Sequence, residues 1–141
     1  ADKCQRRSLD GAGGTAEKAR MFVIEKDYHL ESARRLPRLP EGHPCRRVHG
    51  HSFGVTLVVE GALDPAMEWV LDYAVIDAAW EKIRAQIDHC YLNDVPGLEN
   101  PTSEVLAVWI HERLRGDLPG LVEVAIAEEG TARCRYRPRR A

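Results

Sequence analysis

In the stretch VHGHSFGVTLVVEG, Val48 to Gly61, the residues His49, His51, Phe53, Val55, Leu57 and Val59 recur at every second position. Side chains two apart on a strand share a face, so this period predicts a strand whose apolar face opens on two histidines. Upstream, MFVIEKDYHLESA places Phe22, Ile24, Tyr28 and Leu30 on one parity and predicts a first strand, separated from the second by the proline-bounded loop LPRLPEGHPCRR. Downstream, VIDAAWEKIRAQI repeats Ile76, Trp80, Ile83 and Ile87 at helical spacing, with Asp72 placed to cap it. The turn formers of DHCYLNDVPGLENP predict an irregular connection. TSEVLAVWIHERLRG predicts a second helix with Leu106, Trp109, Ile110 and Leu114 inward, Thr102 as N-cap and Gly116 as stop. Finally LVEVAIAEE, a Gly130-Thr131 turn and ARCRYR read as a β-hairpin.

The order ββααββ excludes a parallel βαβ sheet. It predicts an α+β protein: a four-stranded antiparallel sheet with two helices on one face. Such a sheet has two open edges, and pairing them between subunits would hide them, so a homo-oligomer is expected.

The 141 residues suit one domain, read as residues 21–141 after a polar, Gly- and Ala-rich leader at 1–20. A hydrophobic fraction of 44%, a charged fraction of 30% and a net charge of -2 are ordinary for a globular protein and argue against a nucleic-acid partner. The basic RCRYRPRR near the C-terminus reads as a solvated edge strand and tail. No apolar run reaches the roughly 18 residues of a membrane span, so no membrane partner is expected and a cytoplasmic location is. Cys4, Cys45, Cys90 and Cys134 are scattered with no CxxC pair, which suggests neither a disulfide framework nor a thiolate zinc knuckle.

His49 and His51 point the same way with Gly50 between them, so they are either two ligands of one metal ion or a polar strand start. Cys45, four residues earlier in a loop, is a base or nucleophile if its thiol is exposed beside a cation, and a small hydrophobe otherwise. Asp88 and His89 are adjacent: a carboxylate orienting an imidazole for proton transfer, or a polar helix end. Glu128 shares the parity of Val122, Val124 and Ile126, which aims a carboxylate toward the apolar side. It needs a donor-rich partner there, either a protein arginine or a ligand with paired N–H groups such as a guanidine-like heterocycle.

PEGHPCRRVHGHSF, IDHCYLNDVPGLENPTSEVLAVWI and EEGTARCRYR, in this order from Phe22 to Arg137, resemble the 6-pyruvoyl- and 6-carboxytetrahydropterin synthases, above all the bacterial 6-carboxytetrahydropterin synthases of queuosine biosynthesis. The resemblance implies the tunnelling fold, with ββααββ units in trimeric barrels stacked as a hexamer. It implies 7,8-dihydroneopterin triphosphate as substrate, with the pterin ring held by Glu128 and by Thr102 and Ser103 at the start of the second helix. It further implies zinc on His49 and His51, and proton transfer by Cys45 and the Asp88–His89 pair. The carboxy branch releases triphosphate and acetaldehyde, and its products serve queuosine and other deazapurines.

One position departs from the pattern. Where the family's first strand ends in a zinc-binding histidine, LESAR places Arg34, whose guanidinium does not deprotonate to bind a metal. His43 in the loop is the reachable substitute, since His29 has the opposite parity and His111 lies on the second helix; Cys90 replaces a histidine that is not a ligand. Three readings follow: a zinc lyase with an incomplete protein shell, an enzyme of altered pterin chemistry in which Arg34 replaces the cation, or a pterin-binding protein without catalysis.

Overall fold

The computed structural model describes residues 20–140. Apart from Arg20, the expected leader lies outside the described residues, as does Cys4. Strands β1 (Met21–Arg34) and β2 (His49–Ala62) lead into helices α1 (Tyr73–Ile87) and α2 (Ser103–Leu114), then strands β3 (Leu121–Glu128) and β4 (Ala132–Tyr136). The strands form one antiparallel sheet in the order β1-β2-β3-β4. This is the expected ββααββ arrangement.

The two-residue period of β2 buries Phe53, Val55, Leu57 and Val59 against Ile76, Trp80, Ile83 and Ile87 of α1 and Leu106, Trp109, Ile110 and Leu114 of α2. Each fully buried side chain of this kind contributes roughly 1.5–3 kcal/mol. Both helix starts are capped as their residue types predict: an Asp72 carboxylate oxygen accepts the Ala74 N–H, and the Thr102 hydroxyl oxygen accepts that of Val105. Gly116 does not end α2 by a left-handed turn. The helix closes at Arg115, which stays right-handed, and Gly116 follows within a turn.

The parity of β3 also needs correction. A bulge makes Val59 pair with Leu121 while Val58 pairs with Glu123, so Val122 is skipped and Leu121 enters the core in its place. From Val124 onward the predicted alternation holds, which leaves Glu128 on the face that carries Phe53. Gly120 precedes the bulge, and a Cβ there would stand 2.6 Å from the Glu60 carbonyl oxygen, so no other residue fits without a backbone shift.

The irregular connection after α1 is more structured than its composition suggests. Leu92 and Leu98 are fully buried, Leu92–Asp94 form a 3-10 turn, and Tyr91 makes a parallel bridge to Ala33 at the end of β1. The basic tail finds partners within the chain. Arg135 (2.7 Å) and Arg137 both bind Glu123, which is 3% exposed, and Arg140 reaches Glu60 at 2.9 Å. At the other edge of the sheet Met21, Phe22 and Val23 are exposed apolar residues on β1. No helix among the described residues is long and apolar enough to cross a membrane.

Candidate active site

The end of β1, the start of β2, the end of β3 and the N-terminus of α2 converge because the β1–β2 register sets Arg34 opposite His49 and the β2–β3 register sets Phe53 opposite Glu128. A cavity of about 310 Å³ opens there, lined by Arg34, Cys45, Thr102, Ser103, Glu128 and Cys134 among others. The structure thus brings together four of the residues singled out in the sequence: Cys45, Thr102, Ser103 and Glu128. Arg34, the residue that departs from the pattern, lies among them.

Glu128 is the centre of this cavity. Its Oε1 accepts a hydrogen bond from the Ser103 hydroxyl at 2.5 Å and from Arg34 Nη2 at 2.7 Å, and its Oε2 lies 3.6 Å from His51 Nε2. Burial pushes the Glu128 carboxyl toward a higher pKa, but the Ser103 hydroxyl and the Arg34 guanidinium outweigh it, so the group stays below the usual carboxylate range and ionised. Of the two partners left open for Glu128, the arginine is present in the chain itself. Thr102 lines the same cavity while its hydroxyl oxygen caps α2.

Arg34 is 4% exposed. Beyond Glu128 it donates through Nη1 to the Pro101 carbonyl at 3.1 Å, and its guanidinium carbon lies 5.0 Å from the centroid of the Phe53 ring. Its Nε is buried with no hydrogen-bond partner.

The two histidines at the start of β2 turn the same ring nitrogen to the backbone. His49 Nδ1 lies 2.8 Å from the Arg47 carbonyl oxygen and His51 Nδ1 lies 3.1 Å from that of Ser52; a carbonyl only accepts, so each Nδ1 donates and Nε2 is the ring nitrogen left for a ligand. The His51 ring also stacks on Phe53, with centroids 4.5 Å apart. Among the described residues a third protein donor is missing. The cross-strand neighbours of His51 and His49 on β1 are Ser32 and Arg34, and His43 spends its Nδ1 lone pair accepting the Cys45 N–H at 3.1 Å. His29 is paired with Glu31 and largely exposed, and His111 is buried on α2. Among the described residues no group of three His, Cys, Asp or Glu side chains could hold a metal ion. Two imidazoles beside a buried guanidinium do not make the closed or three-ligand shell that zinc takes in proteins.

Asp88 and His89 are in contact, with Nδ1 of the imidazole 3.0 Å from Oδ2 of Asp88. Asp88 Oδ1 accepts the Glu31 N–H at 3.0 Å and Oδ2 accepts from Arg84 at 2.8 Å. Burial raises the Asp88 pKa, yet the Glu31 N–H, His89 and Arg84 prevail and hold it below the ordinary value. His89 takes a left-handed backbone conformation (φ 53°), fastened by its N–H to the Glu31 carbonyl, and leaves its side chain 78% exposed. This pair does not share the cavity of Cys45: His89 lines a second space of about 540 Å³ with His51, Ser52, Cys90 and Glu129. Within one chain, therefore, Cys45 and the Asp88–His89 pair, the groups expected to move protons, line separate cavities, with His51 in the second lying 3.6 Å from Glu128 in the first.

Sequence reasoning missed Asn93. Its side chain accepts the Arg35 N–H at 2.9 Å and donates to the Arg35 and Glu99 carbonyls at 2.9 and 3.2 Å, tying the exit of β1 to the loop before α2. An asparagine among turn formers carries no signal that would reveal such a clamp.

The fold and this cavity define a class, and comparison with known proteins agrees. Residues 23–139 match the family model of 6-pyruvoyl tetrahydropterin synthase, and the chain belongs to that family. It is 40% identical over 122 residues to the 6-carboxy-5,6,7,8-tetrahydropterin synthase of a Synechocystis species, covering 82% of this chain and 93% of the relative. It is 30% identical over 131 residues to the Bacillus subtilis protein of the same description, covering 84% and 87%. The Caenorhabditis elegans 6-pyruvoyl tetrahydropterin synthase structure superposes with a TM-score of 0.79 at 23% identity, covering 86% of this chain and 98% of the other, which places the sheet and helices in the tunnelling fold.

Proposed function

We propose that the chain, as one domain spanning residues 21–141, is a 6-carboxytetrahydropterin synthase-type lyase. It would convert 7,8-dihydroneopterin triphosphate to 6-carboxytetrahydropterin with release of acetaldehyde and triphosphate, in queuosine or related deazapurine biosynthesis. The observation that supports this reading best is the 40% identity to a synthase of that description across 93% of its length, together with a cavity that holds Cys45, Ser103 and Glu128.

Glu128 is ionised and keeps Oε2 free of hydrogen bonds, so it can accept an N–H from the amino-pyrimidine edge of a pterin while Ser103 fixes the carboxylate. Cys45 sits in the 3-10 turn Pro44–Arg46, partly exposed at the wall of the cavity, where its thiolate would take a proton from the substrate side chain. Asp88 holds His89 oriented to pass a proton. Because Cys45 and His89 line separate cavities of one chain, their action on one substrate calls for a neighbouring copy, which the open edges of β1 and β4 would supply in a trimer or hexamer. Of the zinc site implied by the resemblance, His49 and His51 are the donors in place among the described residues.

The deciding experiment incubates the purified protein with 7,8-dihydroneopterin triphosphate and assays acetaldehyde and 6-carboxytetrahydropterin. Formation of both supports the lyase; tight pterin binding with neither product would make the chain a binding protein.

A further inference from the structure

We infer that Arg34 takes the place of a tightly bound divalent metal in this cavity, which carries a fixed guanidinium instead of zinc. The inference uses the proposed function only to say which cavity binds the substrate. It stands on the contacts of Arg34.

Three observations carry it. First, both histidines turn Nδ1 to a backbone carbonyl, which leaves Nε2 as the ring nitrogen for a ligand, and the residue opposite His49 across the sheet, where a third ligand would be wanted, is Arg34. Second, that arginine is fastened: Glu128 at 2.7 Å, the Pro101 carbonyl at 3.1 Å and the Phe53 ring beneath it. Moving it aside would strip Glu128 and the carbonyl of a donor and bury or expose the cation elsewhere. Third, the charges already balance. Glu128 Oε2 lies 3.6 Å from His51 Nε2, and the Glu128 charge is already paired with Arg34, so a divalent ion on His51 would meet a neighbouring cation beside a carboxylate that is no longer available to offset it.

The test is zinc binding, read without any assay of activity. Wild type, Arg34→His, His49→Ala and the double variant Arg34→His/His49→Ala are stripped with chelator, re-equilibrated with zinc chloride and dialysed. Metal is measured by mass spectrometry and affinity by calorimetry with zinc alone. The expected result is no stoichiometric zinc in wild type, no change on His49→Ala, about one zinc per chain in Arg34→His, and its loss in the double variant. The affinity of Arg34→His should exceed that of wild type by at least about 100-fold, since it gains a ligand and loses a repelling charge. About one zinc per wild-type chain that disappears on His49→Ala would overturn the inference. So would a folded Arg34→His, judged by circular dichroism, that takes up no zinc, because Arg34 would then not be what excludes the metal. Should Arg34→His not fold, the comparison of wild type with His49→Ala decides alone. A chain that binds no zinc and makes no acetaldehyde would refute the lyase and leave this inference standing.

Discussion

Arg34 at the end of β1 and Glu128 at the end of β3 are 94 residues apart in the chain and 2.7 Å apart in space, with the guanidinium almost wholly buried and the carboxylate partly so. Such a pair is worth less when formed than it costs when halved, because removing one partner leaves the other desolvated and uncompensated. Glu128→Ala is therefore expected to destabilise the protein by about 3 kcal/mol. Arg34→Met, which keeps the bulk and leaves only the more accessible carboxylate, should cost less. Urea unfolding of both variants checks the order.

The same carboxylate sets a pH dependence. Folded Glu128, Glu123 and Asp88 all sit below their ordinary pKa values, so the unfolded chain takes up protons at these groups more readily than the folded one. Their stabilisation is whole above the unfolded carboxylate range, about pH 4, and is lost as pH falls through the lower folded values. The urea midpoint should be flat from neutrality to about pH 5 and drop below about pH 4. Glu128→Gln should make that drop shallower, and an unchanged slope would count against the pair.

Cys45→Ala should leave the unfolding midpoint nearly unchanged, since the thiol lies partly exposed in a loop turn and outside the core. Acetaldehyde release should fall by about 10²–10⁴, the usual worth of a positioned proton-transfer group. Steady-state rates beside a thermal melt separate the two effects.

Thr102→Ala tests whether the helix start supports the cavity. The cap itself is worth about 1 kcal/mol. Since Ser103 is the first residue of α2 and holds Glu128, fraying there should also weaken pterin binding several-fold. Asp72→Ala removes the cap of α1, away from the cavity, and should cost similar stability with no change in affinity.

Phe22→Lys places a charge among the exposed apolar residues at the start of the β1 edge. If copies pair through that edge, light scattering should show wild type larger than one chain and the variant shifted toward the monomer. An unchanged mass would move the interface elsewhere.

Most of the architecture was legible because it rests on local periods. Alternation along Val48–Gly61 specified β2, and helical spacing with Asp72 and Thr102 specified both helices. Where those patterns misled, a non-local cause intervened. Val122 leaves the core because β2 and β3 slip by one residue at the bulge, and Leu92 and Leu98 are buried because the segment beyond α1 folds back onto β1. Glu123 is buried because Arg135 and Arg137, brought alongside by the β3–β4 pairing, both bind it, a partnership that no local pattern reveals.

The chain order of Cys45, His49, His51, Asp88, His89, Thr102, Ser103 and Glu128, and the arginine at 34, are written in the sequence, because side-chain chemistry and spacing are local. Which groups meet was decided only by tertiary structure, because distance across a sheet depends on register and no residue encodes its cross-strand partner. That register joined Arg34 to Glu128, supplying the protein's own guanidinium as one of the two partners open to that carboxylate. It also put Cys45 and His89 in separate cavities of one chain.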